Sequence, residues 1–221
     1  VRIRMPKMKI DEDTEIVAFS KEETERLDTY FQGTNAETAS LLGKCCGLRI
    51  NECYGLKWEN VDIENGRITI DRQMQYQDGL IKLVPLKTRN ARRVIYMSQK
   101  LKDYFLKLAA ETKAHEVDLK AQRAQNCTYI YDVDGNKISS LELVNSLPNG
   151  KIQTVNSMKY YSRTIKTAVK IDFKYHYLRH TYGTRLAELN TPTHILCNQM
   201  GHASGKVTER YYLAVSQSGI D

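Results

Sequence analysis

Apolar positions recur at helical spacing near the start of the chain, and turn residues divide the pattern into short elements. The pattern predicts three helices, over about 20–32, 35–47 and 50–56. Ser20 and Glu23 form a capping box at the start of the first helix, Gly33 follows that helix, and Gly47 ends the second. Trp58, just after the third helix, is expected to anchor the core.

The period changes after residue 65, where alternating β-forming residues replace the helical pattern. Strands are predicted for three runs, over 67–77, 80–84 and 93–97. Asn65-Gly66 precedes the first run and Asp78-Gly79 follows it, and both pairs are strong hairpin signals. We therefore expect a small three-stranded antiparallel sheet.

The remainder of the chain is mostly helical in pattern. A helix is predicted to begin at Ser98, whereas the polar stretch 111–153 is expected to form exposed connections. Further helices are predicted over 155–169, over 176–189, from Pro192 onward and over 207–215. The predicted fold is mainly α with one small three-stranded antiparallel sheet, in a single domain over 1–221.

The composition narrows the class of partner. The 221 residues include 33 basic and 26 acidic ones, and the net charge of +7 favours an anionic partner such as nucleic acid or a membrane surface. No apolar run approaches the roughly 18 residues of a membrane span, and no export leader is evident. The five cysteines are odd in number and include the adjacent pair Cys45 and Cys46, so a reducing, cytoplasmic compartment is expected.

Two basic motifs stand in the first half of the chain. In CGLRINECYGLKW, over 46–58, Arg49 opens a predicted helix, where a guanidinium and helix amides can bind one phosphate together. Glu52 is expected either to pair with Arg49 or to face solvent. In PLKTRNARRVI, over 85–95, Lys87 stands where the second strand ends. The tip is expected to be basic and suited to phosphate contact because three arginines follow, Arg89, Arg92 and Arg93.

The motif YHYLRHTYGTRL, over 175–186, supplies histidines and a further arginine. His176 and Arg179 lie three positions apart and therefore share one helix face, whereas His180 and Arg185 are expected to point elsewhere. Each of the basic residues singled out, taken alone, is more commonly a surface ion pair, a solvated side chain or a core residue.

The motif GHASGKVTERYYLAV, over 201–215, adds a histidine and two tyrosines. His202 precedes Tyr211 by nine residues and Tyr212 by ten. Adjacent helical positions diverge by about 100°, so only one of the two tyrosines can face a given bound group. Together the motifs offer cations, proton-transferring groups and a nucleophile without a carboxylate cluster, a set that suits phosphoryl transfer without a metal.

In the order and spacing of these motifs, the sequence resembles the tyrosine recombinases, the phage-integrase family, over nearly its whole length. The resemblance implies the catalytic-domain fold of that family. It also implies that Arg49 and Arg179 hold the scissile phosphate and that Lys87 is the general acid. His176 would assist on the base side of proton transfer, and His202 would hydrogen-bond the phosphate.

The resemblance further implies that a tyrosine attacks DNA to form a 3′-phosphotyrosyl bond, with no metal, cofactor or ATP. The spacing of nine slightly favours Tyr211 as the nucleophile, whereas the YLAV ending favours Tyr212. The implied partner is double-stranded DNA, bound by a homotetramer when the protein is full length. Residues 1–221 are expected to be the catalytic domain of a phage or transposon integrase, without the family's amino-terminal core-binding and arm-binding domains.

Three alternatives remain open at this level. A type IB topoisomerase shares the catalytic set but does not exchange DNA partners. A DNA-binding module that has lost catalysis would keep the basic face. A zinc enzyme built on His176, His180 and cysteines is a weaker hypothesis, because the spacing lacks a paired ligand motif.

Overall fold

Helices dominate the computed structural model, which describes residues 16–77, 79–88, 91–126, 129–147 and 149–218. Within these ranges there are eight α-helices: α1 (Lys21–Phe31), α2 (Glu37–Cys46), α3 (Ile50–Tyr54), α4 (Gln99–Asn126), α5 (Val155–Ala168), α6 (Tyr175–Glu188), α7 (Thr193–Met200) and α8 (Gly205–Ser218). Every helix predicted from the sequence is present, with ends that differ by a few residues except in α4.

Local sequence signals set the ends of the first helices. Ser20 caps α1 by accepting from the backbone of Glu23, whose side chain accepts from the backbone of Ser20 in return. Gly47 ends α2 in the left-handed conformation at φ 62°, and a Cβ there would lie 2.5 Å from Cδ1 of Tyr182. Only glycine therefore allows α6, which carries Tyr182, to pack this closely against the end of α2.

The strands form two sheets in the described residues. Their bounds are β1 (Val61–Asp62), β2 (Arg67–Ile70), β3 (Arg72–Gln77), β4 (Leu80–Pro85), β5 (Arg93–Tyr96), β6 (Tyr129–Asp132) and β7 (Lys137–Ser139). One sheet has three antiparallel strands in the order β1-β2-β5, and the other has four strands in the order β3-β4-β6-β7. The mainly α fold with a small three-stranded antiparallel sheet is confirmed.

The membership of that sheet differs from the expectation. The run 67–77 breaks at Asp71, so that β2 pairs with β5 while β3 pairs with β4 in the second sheet. The backbone of β3 is packed against the end of α3, where a Cβ on Gly55 would lie 2.6 Å from the backbone nitrogen of Met74. Only glycine at position 55 therefore allows the end of α3 to lie this close to the backbone of β3.

The prediction that the stretch 111–153 forms exposed connections is wrong for much of it, because it contains the end of α4 and the strands β6 and β7. Helix α4 continues to Asn126, and its polar middle carries an i,i+4 ion pair between Lys107 and Glu111 at 3.8 Å. Strand β6 pairs in parallel with β4, and β7 completes the sheet. The sequence after Leu108 is mostly polar and shows no helical periodicity of apolar residues, and a parallel partner distant in sequence leaves no local pattern.

The helices pack around two buried clusters, and α6 contacts both. A large cluster includes Leu27, Phe31, Leu42 and Phe105, with Trp58 packed edge-on against Phe105. A second, small cluster joins α6, α7 and α8 through Ala187, Leu196, Met200 and Tyr211. Because α6 contacts α2 on one side and α8 on the other, it brings the motif at 46–58 close to the motif at 201–215.

Some sequence expectations lie wholly or partly outside the described residues. These are Asp78 of the predicted turn, Arg89 of the basic tip, Cys127, and the last residues, 219–221. No helix in the described part of the chain is both long and apolar enough to cross a membrane.

Candidate active site

Arg49 is held at the start of α3 by the carboxylate of Glu52. The backbone nitrogen of Arg49 donates to Oε2 of Glu52 at 2.9 Å, and its Nη1 donates to Oε1 at 2.8 Å. Its Nη2 donates to the carbonyl of Gly201 at 3.2 Å, so the residue also contacts the end of α7. With 38% of the side chain exposed, the guanidinium can still reach a ligand from solvent.

Glu52 is buried and lies between two guanidiniums. Its oxygens accept from Arg49 and from both Nη atoms of Arg93, at 3.2 and 2.8 Å. Burial opposes ionisation of this carboxyl and raises its pKa. The hydrogen bonds and the charge of Arg93, with a further contribution from Arg49, have the larger effect and lower the pKa to about 2. Of the two expectations for Glu52, pairing with Arg49 is confirmed.

Arg179 is the most deeply placed of the candidate cations. Its side chain on α6 is 1% exposed, and it donates from Nη1 to the carbonyl of Gly47 and from Nη2 to the carbonyl of Met200. Burial, and then the nearby charges of Arg49 and Arg93, lower its pKa to about 9. A cation in this environment gains from an anionic ligand, because a bound phosphate would offset both the burial and the repulsion.

His202 lies directly after the end of α7 and faces Tyr211 of α8. Its Nδ1 is 2.9 Å from the hydroxyl oxygen of Thr208, and its ring stacks on that of Tyr211 with centroids 6.0 Å apart. Burial, followed by repulsion from Arg179 and Arg49, lowers the pKa of His202 to about 3. The imidazole is therefore neutral at physiological pH.

His176 and His180 form a neighbouring pair on α6. Their ring centroids are 4.5 Å apart, and Nδ1 of His180 lies 3.2 Å from the carbonyl oxygen of Val17. Desolvation and then His180 and Arg179 lower the pKa of His176 to about 4, although the residue remains exposed at the surface. His176 is thus also neutral at physiological pH and can accept a proton.

Tyr211 of α8 packs its ring against α6 and is buried. Its side chain is 3% exposed, and a Cβ on Gly183 would lie 2.5 Å from its Cε1. Burial raises the pKa of the phenol, while Arg179 is the largest of the charges that oppose the rise. The hydroxyl is therefore protonated at neutral pH.

Five of the seven candidate residues line one cavity of about 300 Å³. They are Arg49, His176, Arg179, His202 and Tyr211. The cavity wall is completed by Ile16, His180, Val207 and Arg210. Cations from α3 and α6, neutral imidazoles and one phenol thus converge, although they come from motifs that are far apart in the sequence.

The other two candidate residues lie away from this wall. The hydroxyl of Tyr212 donates to the carbonyl of Thr191, so its side chain points toward the loop before α7. Lys87 is exposed just beyond β4 and does not contribute to the lining of the cavity.

Sequence reasoning missed some residues of the site. His180 was expected to point elsewhere and instead lines the cavity, which its i,i+4 spacing from His176 could have indicated. Arg185 does point elsewhere, since it donates to the hydroxyl of Thr24. Arg210 carried no motif signal.

Arg93 was wrongly assigned to the basic hairpin tip. It is 7% exposed and binds Glu52 instead of facing a ligand. The strand pattern could have shown this, because Arg93 and Ile95 both face inward on β5.

Among the residues that the structure describes, no three or more histidine, cysteine, aspartate or glutamate side chains come together as a metal site.

Comparison with known families decides the affiliation. A sequence model of the phage integrase family matches residues 8–218. The chain belongs to this family. The resemblance to the tyrosine recombinases is thereby confirmed.

Two curated relatives align with most of this chain. The chain is 28% identical over 220 residues to a XerC-like tyrosine recombinase of Caldanaerobacter subterraneus subsp. tengcongensis. The aligned region covers 95% of this chain and 53% of that relative. It is 24% identical over 201 residues to IntQ of Escherichia coli, a protein described as defective, with 87% of this chain and 48% of that one covered. The chain spans about half the length of these relatives.

Solved structures share the fold. The Tn1549 transposon integrase in complex with circular intermediate DNA is 23% identical, with a TM-score of 0.71 over 96% of this chain and 68% of that one. The XerH site-specific recombinase bound to its difH substrate is 20% identical, with a TM-score of 0.55 over 93% of this chain and 53% of that one.

Proposed function

We propose that residues 1–221 act as the catalytic domain of a tyrosine-type site-specific DNA recombinase. The observation that carries the proposal is the convergence of Arg49, Arg179 and Tyr211 on one cavity. A scissile phosphate in this cavity would meet two guanidiniums and one phenol, which are the groups that a metal-free transesterification requires.

The first step is attack of the Tyr211 hydroxyl oxygen on phosphorus. The new bond joins the tyrosine oxygen to the 3′-phosphate, and the bond from phosphorus to the 5′-oxygen breaks, which leaves a 5′-hydroxyl. Arg49 and Arg179 stabilise the negative charge that accumulates on the non-bridging oxygens. The phosphotyrosine retains the energy of the broken linkage, so that a second 5′-hydroxyl can reverse the step without ATP.

Protons must leave the phenol and reach the 5′-oxygen. His176, which is neutral and at the cavity, accepts the phenol proton. Lys87 protonates the departing 5′-oxygen; its exposed position beyond β4 suits a residue that meets DNA from outside the cavity. His176 becomes a cation when it accepts the phenol proton, and Lys87 becomes a neutral amine when it gives up its proton, so the total charge is unchanged.

His202 donates a hydrogen bond to the phosphate. In the tautomer that this role requires, Nδ1 accepts from the Thr208 hydroxyl, 2.9 Å away, and the proton of the ring is on Nε2. The neutral ring can then donate from Nε2 to a non-bridging oxygen.

The partner of this domain is double-stranded DNA, which a net charge of +7 suits. We further propose that the full-length protein assembles as a homotetramer on two duplexes, as the family resemblance implies. Cys45, Cys46, Cys53 and Cys197 are free thiols, which agrees with action in the reducing cytoplasm.

Covalent trapping on randomised DNA tests the proposal and lets the protein select its own target site. The protein is incubated with a library of nicked duplexes of randomised sequence, in which a cleaved strand diffuses away and prevents religation. Covalent complexes that survive denaturation are digested, and both the attached peptide and the captured DNA are sequenced. We expect an adduct on Tyr211 and enrichment of one DNA sequence.

Two single substitutions separate the adjacent tyrosines. Tyr211→Phe should abolish the adduct, whereas Tyr212→Phe should retain it, because the hydroxyl of Tyr212 is bound to Thr191. An adduct that persists in Tyr211→Phe, or no adduct with the unchanged protein on any library member, contradicts the proposal.

A further inference from the structure

Three guanidiniums bind three consecutive carbonyls at the end of α7. Arg93 donates from Nε to Gln199 at 2.9 Å, Arg179 donates to Met200, and Arg49 donates to Gly201 at 3.2 Å. The last carbonyls of a helix have no partners within the helix and form its negative end. Arginines from β5, α6 and the start of α3 therefore all bind the carboxyl end of α7, and His202 follows this end directly in the sequence.

Arg93 differs from the other two arginines because it does not line the cavity. Its two Nη atoms bind both oxygens of Glu52, and Nη1 also donates to the carbonyl of Ala91 at 3.0 Å. Every nitrogen of this guanidinium is thus used inside the protein. A ligand phosphate has no direct access to it.

The charge of the cluster shows what Arg93 contributes. Arg49, Glu52 and Arg93 comprise two guanidiniums and one buried carboxylate, so the cluster keeps one net positive charge. Without Arg93, Glu52 would neutralise Arg49, and a phosphate would compete with a buried carboxylate for the same guanidinium. Arg93 thereby leaves the charge of Arg49 available to the substrate.

We propose that Arg93 is a positioning residue for DNA cleavage, which through Glu52 and the Gln199 carbonyl keeps Arg49 oriented and charged toward the scissile phosphate. The inference rests on the proposed function, and it assigns to that reaction a residue that makes no contact with substrate. Lysine cannot replace Arg93, because one ammonium cannot bind both oxygens of Glu52 and the carbonyl of Gln199 in the same planar arrangement.

The test compares single-turnover rates of adduct formation on two versions of the DNA recovered by trapping. One version has the normal phosphodiester, and the other has a methylphosphonate at the scissile position, which lacks the negative charge that Arg49 would neutralise. Arg93→Met should slow cleavage of the phosphodiester on the order of 100-fold. On the methylphosphonate its deficit should fall to about tenfold or less, since the lost charge is no longer needed.

A second substitution should restore the charge. In the double variant Arg93→Met with Glu52→Gln, the carboxylate that neutralises Arg49 is also removed, so the rate on the phosphodiester should recover about tenfold over Arg93→Met alone. Replacing both members of a buried ion pair leaves no unpaired buried charge, and the double variant is therefore expected to fold.

Lys44→Met is the matched control. Lys44 is also 7% exposed and is paired with Asp28, but it does not line the cavity. This variant loses a buried cation and some thermal stability, and its rates on both substrates should stay within about threefold of the unchanged protein.

Several outcomes would overturn the inference. It fails if Arg93→Met cleaves like the unchanged protein, or if its deficit is equal on both substrates and the double variant shows no recovery. If Arg93→Met does not fold, Arg93→Lys carries the test: a deficit of about tenfold on the phosphodiester should shrink on the methylphosphonate, and equal deficits contradict the inference. An unchanged protein that forms no adduct refutes the proposed function instead.

Discussion

At the scale of single residues, the shape of the Arg179 side chain should matter as much as its charge. We expect Arg179→Lys to slow adduct formation by on the order of 100- to 1000-fold, because lysine cannot span the Gly47 and Met200 carbonyls and still present a fork to phosphate. DNA affinity, measured by fluorescence anisotropy, should change only a few-fold. Arg185→Lys on the same helix is the control, since Arg185 binds Thr24 outside the cavity. Equal losses in affinity and rate for Arg179→Lys would indicate a role in anchoring only.

The burial of His202 also predicts how stability depends on pH. Its pKa is lowered to about 3 in the folded protein, compared with 6.5 when unperturbed, so the unfolded chain binds a proton between these values and the folded chain does not. The contribution of His202 is therefore complete above pH 6.5 and is lost as the pH falls toward 3. The midpoint of thermal unfolding should fall from pH 7 to pH 5.

His202→Asn should make this pH dependence shallower between pH 5 and pH 7. The stabilisation from the carboxyl of Glu52, whose pKa is lowered from 4.5 to about 2, is complete above pH 4.5 and is lost only below that pH, so it does not affect the slope between pH 5 and pH 7. His194→Asn, which removes an exposed histidine from α7, is the matched control. The assignment is wrong if both substitutions change the slope equally.

At the scale of elements, the contact between α6 and α8 depends on the absence of a side chain at Gly183. An added Cβ would lie 2.5 Å from the ring of Tyr211, so Gly183→Ala must displace that ring or the helix that carries it. We expect a loss of about 1–3 kcal/mol in the free energy of unfolding. Adduct formation should slow by at least about tenfold, because the attacking oxygen is displaced.

Gly205→Ala provides the control for α8. Its added Cβ would come no closer than 3.9 Å to Glu209, so stability and rate should remain near those of the unchanged protein. Chemical denaturation and single-turnover cleavage measure the two effects. If folded Gly183→Ala cleaves DNA at an unchanged rate, the close packing of the Tyr211 ring against Gly183 is not needed for attack.

The elements also show which parts of the architecture can be predicted from sequence. Capping residues and glycines act within a few positions, so the ends of α1 and α2 followed from Ser20, Glu23 and Gly47. The break at Asp71 and the parallel pairing of β6 did not, because both depend on backbone contacts with elements distant in the chain.

At the scale of the whole molecule, the same distinction applies to the site. Motif order indicated the residues of the cavity, since each motif carries its own reactive group. The orientation of Tyr212 toward Thr191 depends on the packing of α7 against α8, whereas the inward position of Arg93 is already indicated by the alternation of residues along β5. Sequence therefore predicted which groups are present, and the packing determines which of them share a cavity.

The net charge of the molecule predicts how DNA binding responds to salt. If the cavity face lies along the phosphate backbone, the logarithm of affinity should fall linearly with the logarithm of salt concentration, with a slope of about −0.9 for each phosphate neutralised. Arg210 lines the cavity, so Arg210→Ala should make the slope shallower by about 0.9. Lys107→Ala on α4, where the lysine side chain is 78% exposed and 3.8 Å from Glu111, should leave the slope unchanged.

Anisotropy titrations between 50 and 200 mM salt, about the range over which counterion release is large, measure these slopes. A flat response, or the same change for both variants, would mean that DNA does not approach through the cavity face.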